Sequence, residues 1–150
     1  MIKLYIGFQV IVKTNDVLMS FQPPTNIGER QKIYNYFINK SFVKARGYNS
    51  KDRVDINFVR DYFKEIKQSK FVICPFGGGF DCHRNWEVFS LGSFPIIKKH
   101  ISMENFYDLP AWFVNDWSEV TEGNIEIKYN EILEEIKSGK KSFVKSTFDY

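Results

Sequence analysis

The sequence lacks the features that mark membrane-spanning, metal-binding and disulfide-stabilised proteins. No apolar run approaches the roughly 20 residues that a membrane-spanning helix requires, and the first residues lack the three regions of a secretory signal. The 150 residues include only two cysteines and two histidines, and no CxxC or Asp-x-Asp pair occurs. We therefore expect a cytoplasmic chain without a membrane span, with free thiols and without a metal site.

The charge balance is also modest, whereas aromatic residues are abundant. The net charge is +3, and the lysines are dispersed or lie near the end of the chain, so we expect no nucleic-acid binding. Phe, Tyr and Trp make up 17% of the residues, and we interpret most of them as core. A chain of this length with 43% hydrophobic residues is typical of one domain, so residues 1–150 are predicted to form a single unit.

Short apolar runs alternate with helical patterns along the chain. The predicted strands are 17–21, 42–45, 71–74, 94–98 and 111–114, and the predicted helices are 29–37, 55–68, 81–91 and 124–137. Strands separated by helices indicate an α/β fold with a parallel sheet. Residues 3–12 predict a strand or part of an interdomain connection over 1–15, and residues 138–150 predict a frayed tail.

A glycine turn follows the predicted strand 71–74. Gly77, Gly78 and Gly79 can adopt positive φ angles and let the backbone approach a ligand, and Asp81 can cap the next helix. The free N–H groups and positive dipole end of that helix would favour an anion. By spacing alone, a purely structural tight turn is equally compatible, because the run matches neither the dinucleotide fingerprint nor the Lys-Ser/Thr phosphate loop.

Three blocks of sequence resemble the exostosin-like glycosyltransferases and occur in the order of that family. The blocks are Thr25-Asn26 with Glu29-Arg30; Ser69 to Pro75, Gly79, Asp81, His83-Arg84-Asn85-Trp86-Glu87, Leu91-Gly92 and Pro95-Ile96-Ile97; and Asp108-Leu109-Pro110 with Val114 to Thr121. The resemblance implies a Rossmann-like parallel sheet with flanking helices, like the C-terminal half of a GT-B glycosyltransferase. It also implies an inverting transferase whose donor is a nucleotide diphosphate sugar and whose acceptor is a glycan or other hydroxyl compound.

The family's N-terminal, acceptor-binding half is missing from this chain, so the resemblance implies an acceptor-binding partner protein or a longer form. No cofactor is expected beyond the donor sugar nucleotide, and the absence of an Asp-x-Asp pair favours metal-independent chemistry. No residue stands out as the catalytic base.

The candidate substrate-binding residues are Arg30, Gly77, Gly78, Gly79, His83, Arg84 and Glu87. In the resembling family an acidic residue at the place of Glu87 holds the ribose, and a surface salt bridge is its alternative role. Arg30 and Arg84 could grip diphosphate oxygens, or Arg84 could pair with Asp81. His83 could donate to a phosphate or be oriented by Glu87.

Two functions of other classes remain open. A non-catalytic subunit would bind the nucleotide sugar without turnover. A generic nucleotide-binding α/β domain, for example a flavodoxin-like one, would bind a flavin or free nucleotide without preferring sugar conjugates.

Overall fold

The computed structural model describes residues 5–6, 9–10, 12–47, 55–79 and 83–143. Two short strands, β1 (Tyr5–Ile6) and β2 (Gln9–Val10), pair antiparallel. The remaining strands are β3 (Asn15–Met19), β4 (Val43–Ala45), β5 (Ser69–Ile73), β6 (Phe94–Lys98) and β7 (Trp112–Val114). The α-helices are α1 (Ile27–Phe37), α2 (Ile56–Gln68), α3 (His83–Ser90) and α4 (Glu122–Lys137).

Strands β3 to β7 form one parallel sheet in the order β4-β3-β5-β6-β7. This confirms the predicted α/β, Rossmann-like class. The chain leaves β3 toward β4 and then returns to the other side of β3 to build β5. The order therefore reverses between β3 and β5, and parallel sheets bind ligands at such a switch point, beyond the carboxyl ends of the strands.

Each face of the sheet is covered by two helices. Phe71 and Phe94 point to the face that α1 and α4 cover through Ile33 and Ile125. On the opposite face Val72 packs in a second cluster with Ile66 of α2 and Val88 of α3. Phe37, Phe71 and Phe94 are fully buried, which confirms that these rings belong to the core.

Polar side chains cap the starts of several helices. Asn26 Oδ1 accepts a hydrogen bond from Glu29 N at 3.4 Å and starts α1. Asp116 caps the 3₁₀ helix Trp117–Glu119 and forms a capping box with Glu119. These contacts satisfy backbone N–H groups that a helix start leaves without partners.

Some boundaries differ from the sequence predictions. The first strand of the sheet spans Asn15–Met19 rather than 17–21, because Asn15 lies in register with Ser69 while the chain turns after residue 19. The 3₁₀ helices Pro23–Asn26, Ile101–Phe106 and Trp117–Glu119 were not predicted. Asp81 and Cys82 lie outside the described residues, whereas Cys74 is buried in the core.

The expected frayed tail is partly ordered. Ser142 N donates to Asp108 O at 3.0 Å, and the ring of Phe143 stacks on Phe94 at a centroid distance of 6.2 Å. Residues 138–143 therefore pack on the domain, because the ring of Phe143 contacts the apolar face of the sheet at Phe94. Residues 144–150 lie outside the described part of the chain.

Candidate functional site

An open cleft of about 440 Å³ lies at the carboxyl edge of the sheet, beside the switch point. It is bounded by the start of α1, the loop after β5 and the end of β6. Its lining residues are Asn26, Glu29, Phe76, Gly77, Gly78, Gly79, Lys98, Lys99 and His100. Three segments that are distant in sequence thus meet where a doubly wound sheet offers a ligand crevice.

The glycine turn forms one wall of this cleft, but its conformation differs from the expected one. Gly77 N donates to Gly79 O at 3.2 Å, and none of the three glycines has a φ in the left-handed region. A Cβ at Gly77 would lie 2.8 Å from Nη2 of Arg30, whereas a Cβ at Gly78 or Gly79 would meet nothing within 4 Å. Close approach therefore explains Gly77, and Gly78 and Gly79 leave the backbone open on the cleft side.

Arg30 lies against the carbonyl groups of this loop. Its side chain is buried, and its donors reach Phe76 O at 2.8 Å, Pro75 O at 3.4 Å and Gln22 O at 3.4 Å. The guanidinium also lies 5.8 Å from the ring centre of Phe21. Arg30 thereby joins the segment after β3 to the loop after β5. Its contact with diphosphate oxygens stays a prediction.

The cationic wall of the cleft is Lys98-Lys99-His100, which sequence reasoning did not single out as a site. These residues end β6 or follow it directly, so the parallel sheet carries them to the same edge as the glycine turn. Their position at the carboxyl end of a predicted strand is the signal that could have identified them. Lys98 Nζ lies 3.9 Å from Glu29 Oε1, so one carboxylate partly balances this charge.

The hydrogen bonds of His100 define its neutral tautomer. Ser102 N lies 3.2 Å from His100 Nδ1, and a backbone N–H can only donate. Nδ1 is therefore the acceptor, and the neutral ring carries its proton on Nε2. The ring also meets the ring of Phe76 edge to face, at a centroid distance of 6.1 Å, which fixes its orientation at the cleft.

The predicted site residues of α3 form a separate network with α2. Arg84 is buried, and its Nε donates to the Tyr62 hydroxyl at 3.2 Å. The same hydroxyl donates to Glu87 Oε2 at 3.1 Å. Burial raises the pKa of Tyr62, while the charge of Arg84 opposes this rise, so the phenol keeps its proton at neutral pH.

The structure does not bring His83, Arg84 or Glu87 into the wall of the cleft formed by the described residues. His83 is exposed at the start of α3, and residues 80–82, which link Gly79 to α3, lie outside the described chain. Their roles toward a ribose or diphosphate stay predictions. Trp86 is half-buried and packs against Phe89 and Phe106, as expected for most of the aromatic residues.

Within the described ranges, no three His, Cys, Asp or Glu side chains cluster closely enough to hold a metal ion. Over the same ranges, no helix has the length and apolar character needed to cross a membrane.

A family model, described as the RXYLT1 C-terminal domain, matches residues 30–145. The chain belongs to this family. The match spans more than three quarters of the 150 residues and includes the glycine turn, α3 and the Lys98-Lys99-His100 wall. RXYLT1 is an exostosin-like glycosyltransferase, so the resemblance found in the sequence is confirmed. Comparison with curated proteins gave no match to the chain.

Proposed function

We propose that this glycosyltransferase-related domain binds a nucleotide diphosphate sugar in the cleft at the switch point. The supporting observation is the pairing of a glycine turn with a cationic wall across one cleft. The open backbone at Gly78 and Gly79 would admit phosphate oxygens, and Lys98, Lys99 and Nε2–H of His100 would supply donors and positive charge.

This arrangement suits the departure of a nucleotide diphosphate. Charge builds up on the diphosphate as the bond to the sugar breaks, and cations fixed in advance lower the energy of that step. The acceptor hydroxyl would attack the anomeric carbon from the opposite face after losing its proton to a base. No residue of the chain is assigned as this base. The GT-B arrangement, metal independence and an acceptor-binding partner protein remain predictions from the sequence.

Glu87 remains the proposed ribose acceptor, with Tyr62 holding one of its carboxylate oxygens. Arg84 and His83 stay proposed contacts near the start of α3. Arg84 already donates to Tyr62, so a role in orienting Glu87 is at least as well supported as a phosphate contact.

The experiment is titration calorimetry of uridine and guanosine diphosphates and their sugar conjugates, in EDTA. We expect binding of at least one, and no binding across the panel would refute the proposal. Gly78→Ala should lower the affinity, because its Cβ would stand where the ligand approaches. Gly123→Ala is the matched control: a Cβ there also meets nothing within 4 Å, but Gly123 lies in α4, outside the cleft.

One observation favours a second candidate. Relabelled by chain order within the sheet, the strands run 2-1-3-4-5, which is the order of flavodoxin-like domains. A generic nucleotide-binding domain would bind flavin mononucleotide or free nucleotides as tightly as sugar conjugates. The same titration with flavin mononucleotide distinguishes the two, because a donor site should prefer the diphosphate sugar.

A further inference from the structure

We propose that Arg30 is a positioning residue: it sets the shape of the glycine turn, and thereby the affinity of the cleft for phosphate, without touching the ligand. This inference rests on the proposed function, because it names how that site is held. It is an alternative to the direct diphosphate contact that the sequence predicts for Arg30.

The first argument is what Arg30 joins. Gln22 lies after β3, whereas Pro75 and Phe76 lie after β5, and these two strands flank the switch point. One guanidinium therefore spans the crevice and fixes the distance between its two sides. A lysine cannot replace it, because an ammonium is a single point of charge and lacks the planar fork that reaches separated carbonyls.

The second argument is the direction of the peptide groups. The described peptide bonds are all trans, so each N–H points away from the carbonyl of the same peptide. Arg30 draws the carbonyls of Pro75 and Phe76 to its own side. The N–H groups of Phe76 and Gly77 are thereby turned to the opposite side, where Gly77 N closes the turn onto Gly79 O.

The third argument is the fit between Arg30 and Gly77. The guanidinium occupies the space where a side chain at residue 77 would begin, since Nη2 lies 2.8 Å from that Cβ position. A methyl group at residue 77 must shift Nη2, the atom that donates to Pro75 O. Arg30 and Gly77 should therefore behave as one unit rather than as two independent contributors.

The experiment compares Arg30→Lys, Gly77→Ala and the double variant. Affinity for the diphosphate that the wild type binds is measured by calorimetry, and affinity for the matching nucleoside is measured by competition. We expect each single variant to weaken diphosphate binding at least about tenfold, the scale of one hydrogen bond to a charged group, and to leave nucleoside binding unchanged. The double variant should bind the diphosphate no more weakly than the single variant that has the lower affinity.

Three results would overturn the inference. If Arg30→Lys keeps the diphosphate affinity within about threefold of the wild type, the planar guanidinium is not required. A positive charge, which lysine also supplies, is then enough at residue 30. If diphosphate and nucleoside affinities fall together, Arg30 supports only the fold. If the effects of the two single variants add, the two residues are not coupled.

Two further measurements keep the inference testable if a variant does not fold or if the wild type binds no nucleotide. If Arg30→Lys does not fold, Gly77→Ala retains the guanidinium and must still lose diphosphate affinity selectively. If the wild type binds no nucleotide, the proposed function fails, but urea unfolding of the same variants still tests the coupling. Additive losses of stability there would refute the interlock by itself.

Discussion

Lys13 predicts an unusual dependence of stability on pH. Its ammonium lies at the amino edge of the sheet, opposite the cleft, where Nζ donates to Lys67 O at 2.8 Å, Gly92 O at 3.1 Å and Ser93 Oγ at 2.8 Å. The carbonyls belong to the end of α2 and to the turn after α3. Burial nevertheless lowers the pKa of Lys13 from 10.5 to about 8.

The sign follows from proton binding in the two states. Between pH 8 and 10.5 the unfolded chain keeps the proton on Lys13 while the folded chain has lost it, so the free energy of unfolding rises with pH in that window. Each pKa unit corresponds to about 1.4 kcal/mol, so the difference between the two pKa values of Lys13 changes the free energy of unfolding by roughly 3 kcal/mol at most. Below pH 8 both states are charged, and the cost of burying the ammonium is fully present.

Urea unfolding of the wild type and Lys13→Met at pH 7, 8.5 and 10 tests this expectation. Methionine keeps the length of the side chain and cannot titrate, so the stability of the wild type relative to Lys13→Met should rise with pH. Lys64→Met removes an exposed lysine of α2 and controls for the loss of one charge. If the relative stability stays flat to pH 10, the three acceptors keep Lys13 charged despite its burial, and the reasoning is wrong.

Two further predictions concern side chains near the carboxyl edge and between α2 and α3. Ser20 follows β3, and its buried Oγ has no hydrogen-bond partner among the described residues, so Ser20→Ala should raise the free energy of unfolding by about 1 kcal/mol in urea titrations; a loss of that size would contradict it. Tyr62→Phe removes a hydroxyl that bridges Arg84 and Glu87 and should cost about 1–3 kcal/mol. An unchanged urea midpoint would show that this bridge adds no net stability.

The sequence predicts the main elements of the fold because their signals are local. The apolar run 71–74 identifies β5, and the helical spacing of Ile56, Val59, Phe63 and Ile66 identifies α2, without knowledge of their neighbours. Of these four side chains the structure buries Ile66, whereas Ile56 and Phe63 are exposed. The strand order is not local, since it depends on which side of β3 the chain returns to. The 3₁₀ helices are short and begin at polar caps such as His100, so no apolar periodicity marks them.

The candidate site divides in the same way. The glycine turn is visible in the sequence because consecutive glycines mark a turn, although the turn alone does not distinguish a ligand site from a structural one. The environment of Arg30 is not visible, because its partners lie 8, 45 and 46 residues away and are backbone carbonyls without a sequence signature. In the sequence alone, the segment Lys98-Lys99-His100 looks like the end of a strand. Only the folded sheet brings it into the same cleft as the glycine turn.

Lysine side chains lie at both edges of the sheet, but beside opposite ends of the helices. In a parallel α/β fold the helices start at the carboxyl edge and end at the amino edge, so their positive ends collect beside the cleft. At the amino edge, Lys13 meets carbonyls at the ends of helices, which is the favourable pairing. At the carboxyl edge, Lys98 and Lys99 stand beside the positive start of α1, and among the cleft residues of the described chain Glu29 is the single carboxylate. Cations placed next to positive helix ends do not stabilise a fold. They favour an anion that binds from outside, and a diphosphate meets that requirement.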